Sequence, residues 1–226
     1  MAIGVTFPTR SGTYAVTLTT RHTESDEDPD LPVLMRVIEG DAESFGVLVG
    51  RHQESLWRLC ERMLGDRDEA RDAVQEIFLK AFRGASGFRP RGRVYTWLYR
   101  IAMNHCLNRL RRRKVVRFLS PSEWGRNAED SPETPVDAWD PVDESPDAER
   151  RLRSRRLWNR ISSVVDRLPA SQKSVLVLAK FEGMSYRQIA EVLDITESAV
   201  ESRLVRAMRR LTEAAERYEG EGTDGR

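Results

Sequence analysis

The sequence predicts an all-α protein made of two small helical domains joined by a flexible acidic linker. Apolar residues recur three or four positions apart on both sides of the chain's centre, which is the spacing of amphipathic helices. The stretch 120–149 interrupts that spacing, since it holds half of the ten prolines and ten acidic residues against one arginine. With 226 residues and no internal repeat, the chain suits two small domains better than one large domain.

Changes of composition along the chain mark five segments. A flexible N-terminal tail is expected first, because the chain starts with Thr, Gly and Pro among scattered apolar residues and reaches an acidic run. The predicted segments are the tail over 1–32, a first helical domain over 33–115, the linker over 116–149, a second helical domain over 150–216 and a flexible C-terminal tail over 217–226.

Charge is segregated behind a net value of only +1. Residues 150–217 carry fifteen Lys and Arg against eight Asp and Glu. Between Glu76 and Glu123 there are twelve basic residues and no acidic one. These two basic blocks are what a polyanion such as a nucleic acid would bind.

Three helices are predicted at the start of the first domain. Within 34–64 a short amphipathic helix precedes a long one, which ends at Gly65. A third helix is expected over about 68–82, and its acidic first turn suits the helix dipole. Its predicted inward residues are Ala70, Val74, Ile77, Phe78 and Ala81, and its outward polar residues are Asp72, Gln75, Glu76 and Lys80.

A basic loop and a long helix complete the first domain. The stretch 84–92 is too rich in glycine and proline to be helical, and it places Phe88 between positive charges. The helix that follows, over 93–114, interleaves Tyr and Trp with Arg and Asn. Such side chains are suited to holding unpaired bases. For Trp97 alone, a place in the core is the favoured interpretation.

Four helices are predicted in the second domain, with two amphipathic helices over 151–168 and 171–181 before a helix-turn-helix motif over 184–211. In the motif, Ser185 and Gln188 have capping-box spacing.

Thr196 should cap the second helix of the motif, whose N-terminal half would enter the DNA major groove. The alternative is an ordinary antiparallel helix pair with a solvated basic face. In the N-terminal half of the motif's second helix, the residues predicted to face outward are Ser198, Glu201, Ser202, Arg203 and Arg206.

Candidates for catalysis are few. His22, His52 and His105 are scattered, and His105 and Cys106 are neighbours on a helix and so point in different directions. We therefore expect no catalytic residue, metal, cofactor or small-molecule substrate. Because both cysteines, Cys60 and Cys106, fall inside helical patterns, a reducing compartment is expected rather than a disulfide framework.

Membrane and export signals are not expected. No apolar run in the sequence is long enough to span a membrane, and the N-terminus lacks the apolar core of a signal peptide. The expectation is a soluble cytoplasmic protein with no direct membrane insertion.

Three segments, taken in order, resemble the bacterial sigma factors of the extracytoplasmic-function (ECF) group. DEARDAVQEIFLKAF resembles their core-binding helix and VYTWLYRIAMNHCLNRLRR their downstream-promoter helix. LPASQKSVLVLAKFEGMSYRQIAEVLDITESAVESRLVRAMRRL resembles their C-terminal DNA-binding domain. The resemblance covers about 34–114 and 151–211, with the family's usual linker between. The chain departs from the family's pattern at Glu201, where relatives usually have Lys or Arg, at Ser198-Ala199, where Gly-Thr is common, and in its longer N-terminal tail.

The resemblance implies a transcription initiation factor that binds core RNA polymerase at its clamp and flap and directs it to specific promoters. The first domain, as sigma region 2, would melt the −10 element, and the second, as sigma region 4, would read the −35 element. The family also implies promoter DNA and an anti-sigma factor as partners, a role in stress response, and no enzymatic activity.

The same resemblance implies roles for individual residues. The polymerase would contact Asp72, Gln75, Glu76 and Leu79. Single-stranded −10 DNA would contact Phe88, Arg89, Arg91, Arg93, Tyr95, Trp97, Tyr99, Arg100, Asn104 and Asn108. Duplex −35 DNA would contact Arg187, Ser198, Glu201, Ser202, Arg203 and Arg206.

Alternatives stay open at three points. A stand-alone helix-turn-helix regulator would use 34–114 for sensing or dimerisation, although it leaves the basic aromatic segment after Gly84 unexplained. The acidic linker either lies in the polymerase's active-site cleft and RNA exit path or is a solvated tether. Glu201 either accepts a hydrogen bond from cytosine or is an unfavourable surface charge.

Overall fold

A computed structural model of the chain describes a subset of its residues. The described residues are 2–9, 12–19, 28–89, 92–119 and 161–223, with side chains over 28–89, 92–115 and 161–217. They divide into two compact units: the helices of 31–119 belong to one, and most of the helical residues of 161–223 belong to the other. The predicted architecture of two small helical domains is confirmed.

Among the residues that the structure describes, the first unit contains four helices and two short 3-10 turns. Gly65 ends the second helix in a left-handed conformation with φ 72°, which a residue without Cβ adopts at low cost. The side chain of Asp66 then accepts a hydrogen bond from the backbone N–H of Glu69 at 2.8 Å and caps the third helix. The elements are α1 Leu31–Ile38, a turn at Ala42–Ser44, α2 Phe45–Leu64, α3 Arg67–Gly84, a turn at Ala85–Gly87 and α4 Val94–Leu119.

The core of the first unit is formed where α2, α3 and α4 pack on one another. Burying each of its large apolar side chains stabilises the fold by about 1.5–3 kcal/mol before entropy is subtracted. Its largest fully buried side chains are Leu34, Leu48, Leu56, Leu59, Met63, Ile77, Leu98, Tyr99 and Met103.

The second unit contains the helix-turn-helix. Its described elements are the helical residues 161–167 (α5), α6 Ala170–Lys180, α7 Tyr186–Leu193 and α8 Glu197–Thr223. Its buried core includes Val165, Leu176, Leu178, Ile189 and Val200. The apolar spacing that predicted these helices is the spacing of the residues they bury.

The N-terminal tail prediction missed a β-hairpin. Ala2–Thr9 (β1) pairs antiparallel with Gly12–Thr19 (β2). The register sets apolar residues opposite one another, in the pairs Ile3 with Leu18, Val5 with Val16, and Phe7 with Tyr14. This alternation of apolar residues is a strand signal that the scattered glycines and prolines concealed.

The end of the predicted tail is also corrected, because residues 28–30 are anchored to the first unit. The side chain of Asp28 accepts a hydrogen bond from the backbone N–H of Val94 at 2.7 Å. Asp30 is buried and bonded to Arg51 and His52. An acidic run reads as solvated from sequence because its distant partners are not visible there.

Two further boundaries differ from the prediction. Helix α4 continues to Leu119, into the predicted linker, since no helix-breaking residue occurs before Pro121. Helix α8 continues to Thr223 through most of the predicted C-terminal tail, and the buried Ala214 and Ala215 extend its core face. The rest of the linker and Arg91 lie outside the described residues. Among the helices that the structure describes, none is long and apolar enough to cross a membrane.

Candidate functional site

The helix-turn-helix forms as the sequence predicts. The backbone N–H of Ser185 donates to Gln188 Oε1 at 2.8 Å, and the N–H of Gln188 donates to Ser185 Oγ at 3.3 Å, which completes the capping box. Asp194 makes the turn with φ 53°, a conformation that short polar side chains tolerate. Thr196 Oγ1 then accepts from the N–H of Ala199 at 3.2 Å and caps α8.

The N-terminal half of α8 has one buried and one exposed face. Its inward residues are buried as predicted, at Val200, Leu204, Ala207 and Leu211. Of the predicted −35 contacts, Arg187, Ser198, Glu201, Ser202 and Arg206 are exposed and Arg203 is half-buried. The structure therefore brings hydroxyl, carboxylate and guanidinium groups together on the open side of a capped helix, where they can reach base edges and phosphates.

The outward face of α3 is the second predicted surface. Asp72, Gln75, Glu76 and Leu79 are all exposed, and Leu79 exposes 54% of its surface. Phe82, which sequence reasoning did not select, is 42% exposed one turn further along. The four predicted residues therefore lie on one helix face, and its C-terminal end is apolar.

Glu76 also belongs to an ion network between α3 and α4 that sequence reasoning missed. Glu76 Oε2 lies 3.7 Å from His105 Nδ1, and its Oε1 lies 3.7 Å from Arg109 Nη1. Lys80 Nζ is 3.8 Å from Glu76 and 2.8 Å from His105 Nδ1. Glu76 is therefore held by side chains of its own unit, whereas Asp72 forms no ion pair with another residue that the structure describes. Helical spacing predicts which side chains are neighbours on the same helix, but it does not predict that a second helix places His105 and Arg109 beside Glu76.

The protonation of His105 follows from its partner. A lysine ammonium can only donate, so His105 Nδ1 accepts from Lys80 and the ring is neutral, with its proton on Nε2. Burial disfavours the charged ring, and the cation of Lys80 opposes it further, so the pKa of His105 lies below its ordinary value despite the opposing effect of Glu76.

The segment predicted to bind single-stranded DNA is only partly exposed. Tyr95 and Tyr99 are buried, at 7% and 0% exposure, and their ring centroids lie 4.2 Å apart. Their assignment to DNA contact is therefore wrong, because a ring enclosed in the core cannot stack on a base. Aromatic residues one turn apart fit a core as well as a binding surface, and only packing distinguishes the two.

The other predicted residues of this segment that the structure describes remain accessible. Phe88 and Trp97 are half-buried and pack edge to face, with centroids 5.4 Å apart. Arg89 is exposed and Arg93 is half-buried. Arg100, Asn104 and Asn108, each four residues apart, form one exposed stripe on α4. An aromatic pair beside a basic loop and an amide-bearing stripe can hold bases and phosphates together.

The start of α4 is positioned from outside the helix. The carboxylate of Asp28 caps it, and the adjoining Asp30 Oδ2 lies 2.7 Å from His52 Nε2, while Asp30 Oδ1 accepts from Arg51 at 2.8 Å. Burial alone raises the pKa of Asp30, but the hydrogen bonds from His52 and Arg51 outweigh it and hold that pKa below its ordinary value.

The two cysteines are buried neighbours. Cys60 Sγ and Cys106 Sγ lie 3.7 Å apart on α2 and α4, and no disulfide joins them. Within the described residues, no three His, Cys, Asp or Glu side chains are grouped so that they could hold a metal ion.

Comparisons with known proteins agree with the two units. The model of the Sigma-70 region 2 family matches residues 48–115, and the model of Sigma-70, region 4 matches residues 158–211. RNA polymerase sigma-H factor of Pseudomonas aeruginosa is 34% identical over 188 residues, which cover 83% of this chain and 94% of that protein. ECF RNA polymerase sigma-E factor of Haemophilus influenzae is 34% identical over 79% of this chain and 90% of its own. The sigma-E factor of Escherichia coli K12 is 31% identical over 81% and 92%.

Solved structures share the fold. CnrH in complex with the cytosolic domain of CnrY has a TM-score of 0.55 at 24% identity, covering 81% of this chain and 95% of its own. The sigma factor RpoE of Bartonella quintana, in complex with the anti-sigma factor NepR, has a TM-score of 0.57 at 20% identity, covering 76% and 96%. With the family matches and the capped helix-turn-helix, these findings show that the chain belongs to the ECF group of the sigma-70 family and is a transcription initiation factor that directs RNA polymerase to promoters.

Proposed function

We propose that the two units divide promoter recognition between them. Region 2, over 33–115, binds the polymerase clamp and opens the −10 element, and region 4, over 150–216, reads the −35 element as duplex. The observation that supports this division most strongly is the exposed hydroxyl, carboxylate and guanidinium face of α8 beyond a fully capped turn. The acidic linker between them is proposed to lie in the polymerase's active-site cleft and RNA exit path, since a flexible acidic chain can occupy channels that are basic enough to hold RNA.

The test of this function is reconstitution with core polymerase. Purified full-length protein added to core enzyme and a promoter library should yield new transcripts that neither component yields alone. A stand-alone helix-turn-helix regulator would instead bind its site equally well without the polymerase and would start no transcript with core enzyme.

The polymerase surface proposed on α3 is Asp72, Gln75, Glu76 and Leu79. Its support is their shared exposure on one helix face. Because Glu76 lies near Lys80 and Arg109, reversing its charge would place a cation among cations and disturb the fold as well as the surface.

The cleaner variants are therefore Asp72→Lys and Leu79→Ala, with Glu54→Lys on α2 as a control at a side chain that is 73% exposed. We expect the first two to lose co-purification with core polymerase at an unchanged melting temperature, and the control to keep it. Undiminished holoenzyme formation by Asp72→Lys combined with Leu79→Ala would remove the assignment.

The loop after α3 is proposed to capture an unpaired base of the −10 element. Its support is the half-buried Phe88 beside Trp97, with Arg89 exposed and Arg93 close by, together with the stripe of Arg100, Asn104 and Asn108. Replacing Phe88 and Arg89 by Ala should abolish open-complex formation on a duplex promoter while leaving activity on a pre-melted promoter. Equal loss on both templates would argue against a role in melting.

Three further properties are proposed for the chain as a whole. It works in the cytoplasm, where its polymerase and promoters are, and it catalyses no reaction of its own. It is also restrained by an anti-sigma factor, since the neighbour from Bartonella quintana is a complex with one. Co-purification of the tagged chain from uninduced cells should recover that partner, and recovery of polymerase alone would contradict the proposal.

A further inference from the structure

Val205 is the most exposed large apolar side chain in the described part of the chain, with 61% of its surface accessible. It lies on α8. Between Glu197 and Arg217 the other exposed residues of this helix are all charged or carry a hydroxyl group. A single exposed valine is unremarkable on most surfaces, so its position within the helix decides whether it has a role.

Helical geometry puts Val205 in the middle of the face proposed to read DNA. Seven residues make two turns less about 20°, so Val205 lies almost directly in line with Ser198 along the helix. Glu201 and Ser202 flank that line on its two sides, and Val205 follows Glu201 by one turn. Any orientation that presents Ser198, Glu201 and Ser202 to base edges therefore presents Val205 to them as well.

The distance along the helix agrees with this orientation. Val205 is about 12 Å from Glu197 along the axis, at 1.5 Å per residue, which is close to the major-groove width of about 12 Å. The next three exposed side chains after Val205 are Arg206, Arg209 and Arg210, which are suited to the phosphates at the groove's edge. Val205 would thus lie at the last position over base edges before the arginines.

Among the groups in the major groove, the one that an aliphatic side chain recognises is the C5-methyl of thymine. We propose that Val205 is a specificity-determining residue of the −35 contact and packs against a thymine methyl. This inference rests on the proposed reading of the −35 element by α8. It adds an apolar contact to a face whose other members donate or accept hydrogen bonds.

The test removes one methyl group from the DNA at a time. Holoenzyme reconstituted with the full chain is bound to a selected promoter in which each −35 thymine, on either strand, is replaced singly by deoxyuridine. For the wild-type chain, one replacement should weaken binding by about fourfold, the effect expected for losing the burial of one methyl group. For Val205→Ala, binding to the unmodified promoter should be weaker and that replacement should have no effect.

A matched control is Val115→Ala, which removes a valine that is 56% exposed on α4. Its deoxyuridine pattern should equal that of the wild-type chain. The inference is overturned if every replacement is neutral for the wild-type chain, or if Val205→Ala stays as sensitive as wild type at the same thymine. Failure of the proposed function would look different, because holoenzyme would then select no promoter at all.

Discussion

The carboxylate of Asp28 accepts a hydrogen bond from the backbone N–H of Val94 at 2.7 Å, although 66 positions separate the two residues. Val94 is the first residue of α4, so its N–H has no partner within the helix. A negative charge there is also attracted to the positive end of the helix dipole, which stabilises the start of the helix. The segment before α1 thus sets where the proposed −10 helix begins.

Asp28→Ala should destabilise the first unit by about 1 kcal/mol, the usual effect of losing a helix cap. Asp28→Asn should lose less, since an amide oxygen can still accept the hydrogen bond. Urea unfolding of the full chain measures both. Asp66→Ala, which removes the local cap of α3, is the matched control and should cost a similar amount. Equal stability of Asp28→Ala and wild type would show that the bond contributes nothing.

The ionised carboxylate of Asp30 should stabilise the folded protein, and this stabilisation should be lost in acid. Its pKa is lowered in the folded state, so the folded protein binds fewer protons than the unfolded chain as the pH falls below the ordinary value of 3.8. The stabilisation is complete above that pH and disappears as the pH drops through the folded-state pKa.

Asp30→Asn should therefore be less stable than wild type at pH 7, by about 1–3 kcal/mol for a buried group that loses its partner. The difference should shrink as the pH falls below about 4. Unfolding free energies measured for both chains between pH 3 and pH 7 test this. A difference that stays constant across that range would mean that ionisation of Asp30 does not stabilise the fold.

Substituting the two charged neighbours of His105 should shift its pKa in opposite directions. Lys80→Met removes a cation 2.8 Å from the ring, and the pKa of His105 should rise. Glu76→Gln removes an anion 3.7 Å away, and the same pKa should fall. The ring's NMR chemical shift followed across pH in each variant measures both. Shifts of the same sign would contradict the network.

His105 also predicts how stability depends on pH near neutrality. Because the folded-state pKa lies below the ordinary value of 6.5, the unfolded chain binds a proton first as the pH falls. The folded state should therefore lose stability on acidification below about 6.5. In the variant His105→Gln, which has no titrating group at this position, the unfolding free energy should depend less on pH in this range. An unchanged pH dependence would mean that other groups cause the loss of stability.

Glu201 is exposed on the proposed groove-facing side of α8, where phosphates repel a carboxylate. If it accepts a hydrogen bond from cytosine N4, Glu201→Ala should lose about 1–3 kcal/mol of discrimination at one −35 base pair. If it is only an unfavourable charge, the substitution should tighten binding to every sequence alike. Binding to all single-base variants of the element separates the two. As a control, Arg206→Ala should weaken binding uniformly and reduce its salt dependence.

Local sequence patterns were enough to predict most of the helices of the second unit. Capping residues and helical spacing act over four or five positions, so Ser185, Gln188 and Thr196 were enough to predict where α7 and α8 begin. The exposed and buried faces of α8 followed from the same spacing, because its buried residues face the unit's own core.

Long-range contacts decided what spacing could not. Whether Tyr95 and Tyr99 bind DNA depends on what packs over them, and packing in the first unit encloses both. From sequence, the acidic residues before α1 were expected to be solvated. In the structure, Asp30 pairs with His52, and Asp28 accepts a hydrogen bond from the first residue of α4.

By itself, the sequence determined the helical class, the two domains, the helix-turn-helix and the family, because each depends on residue types at short separations. The tertiary structure alone decided which charges are paired, as for Glu76 with Arg109, and which apolar side chains remain open, as for Val205. Both are properties of residues far apart in the chain, and burial and ion pairing depend on distance in space.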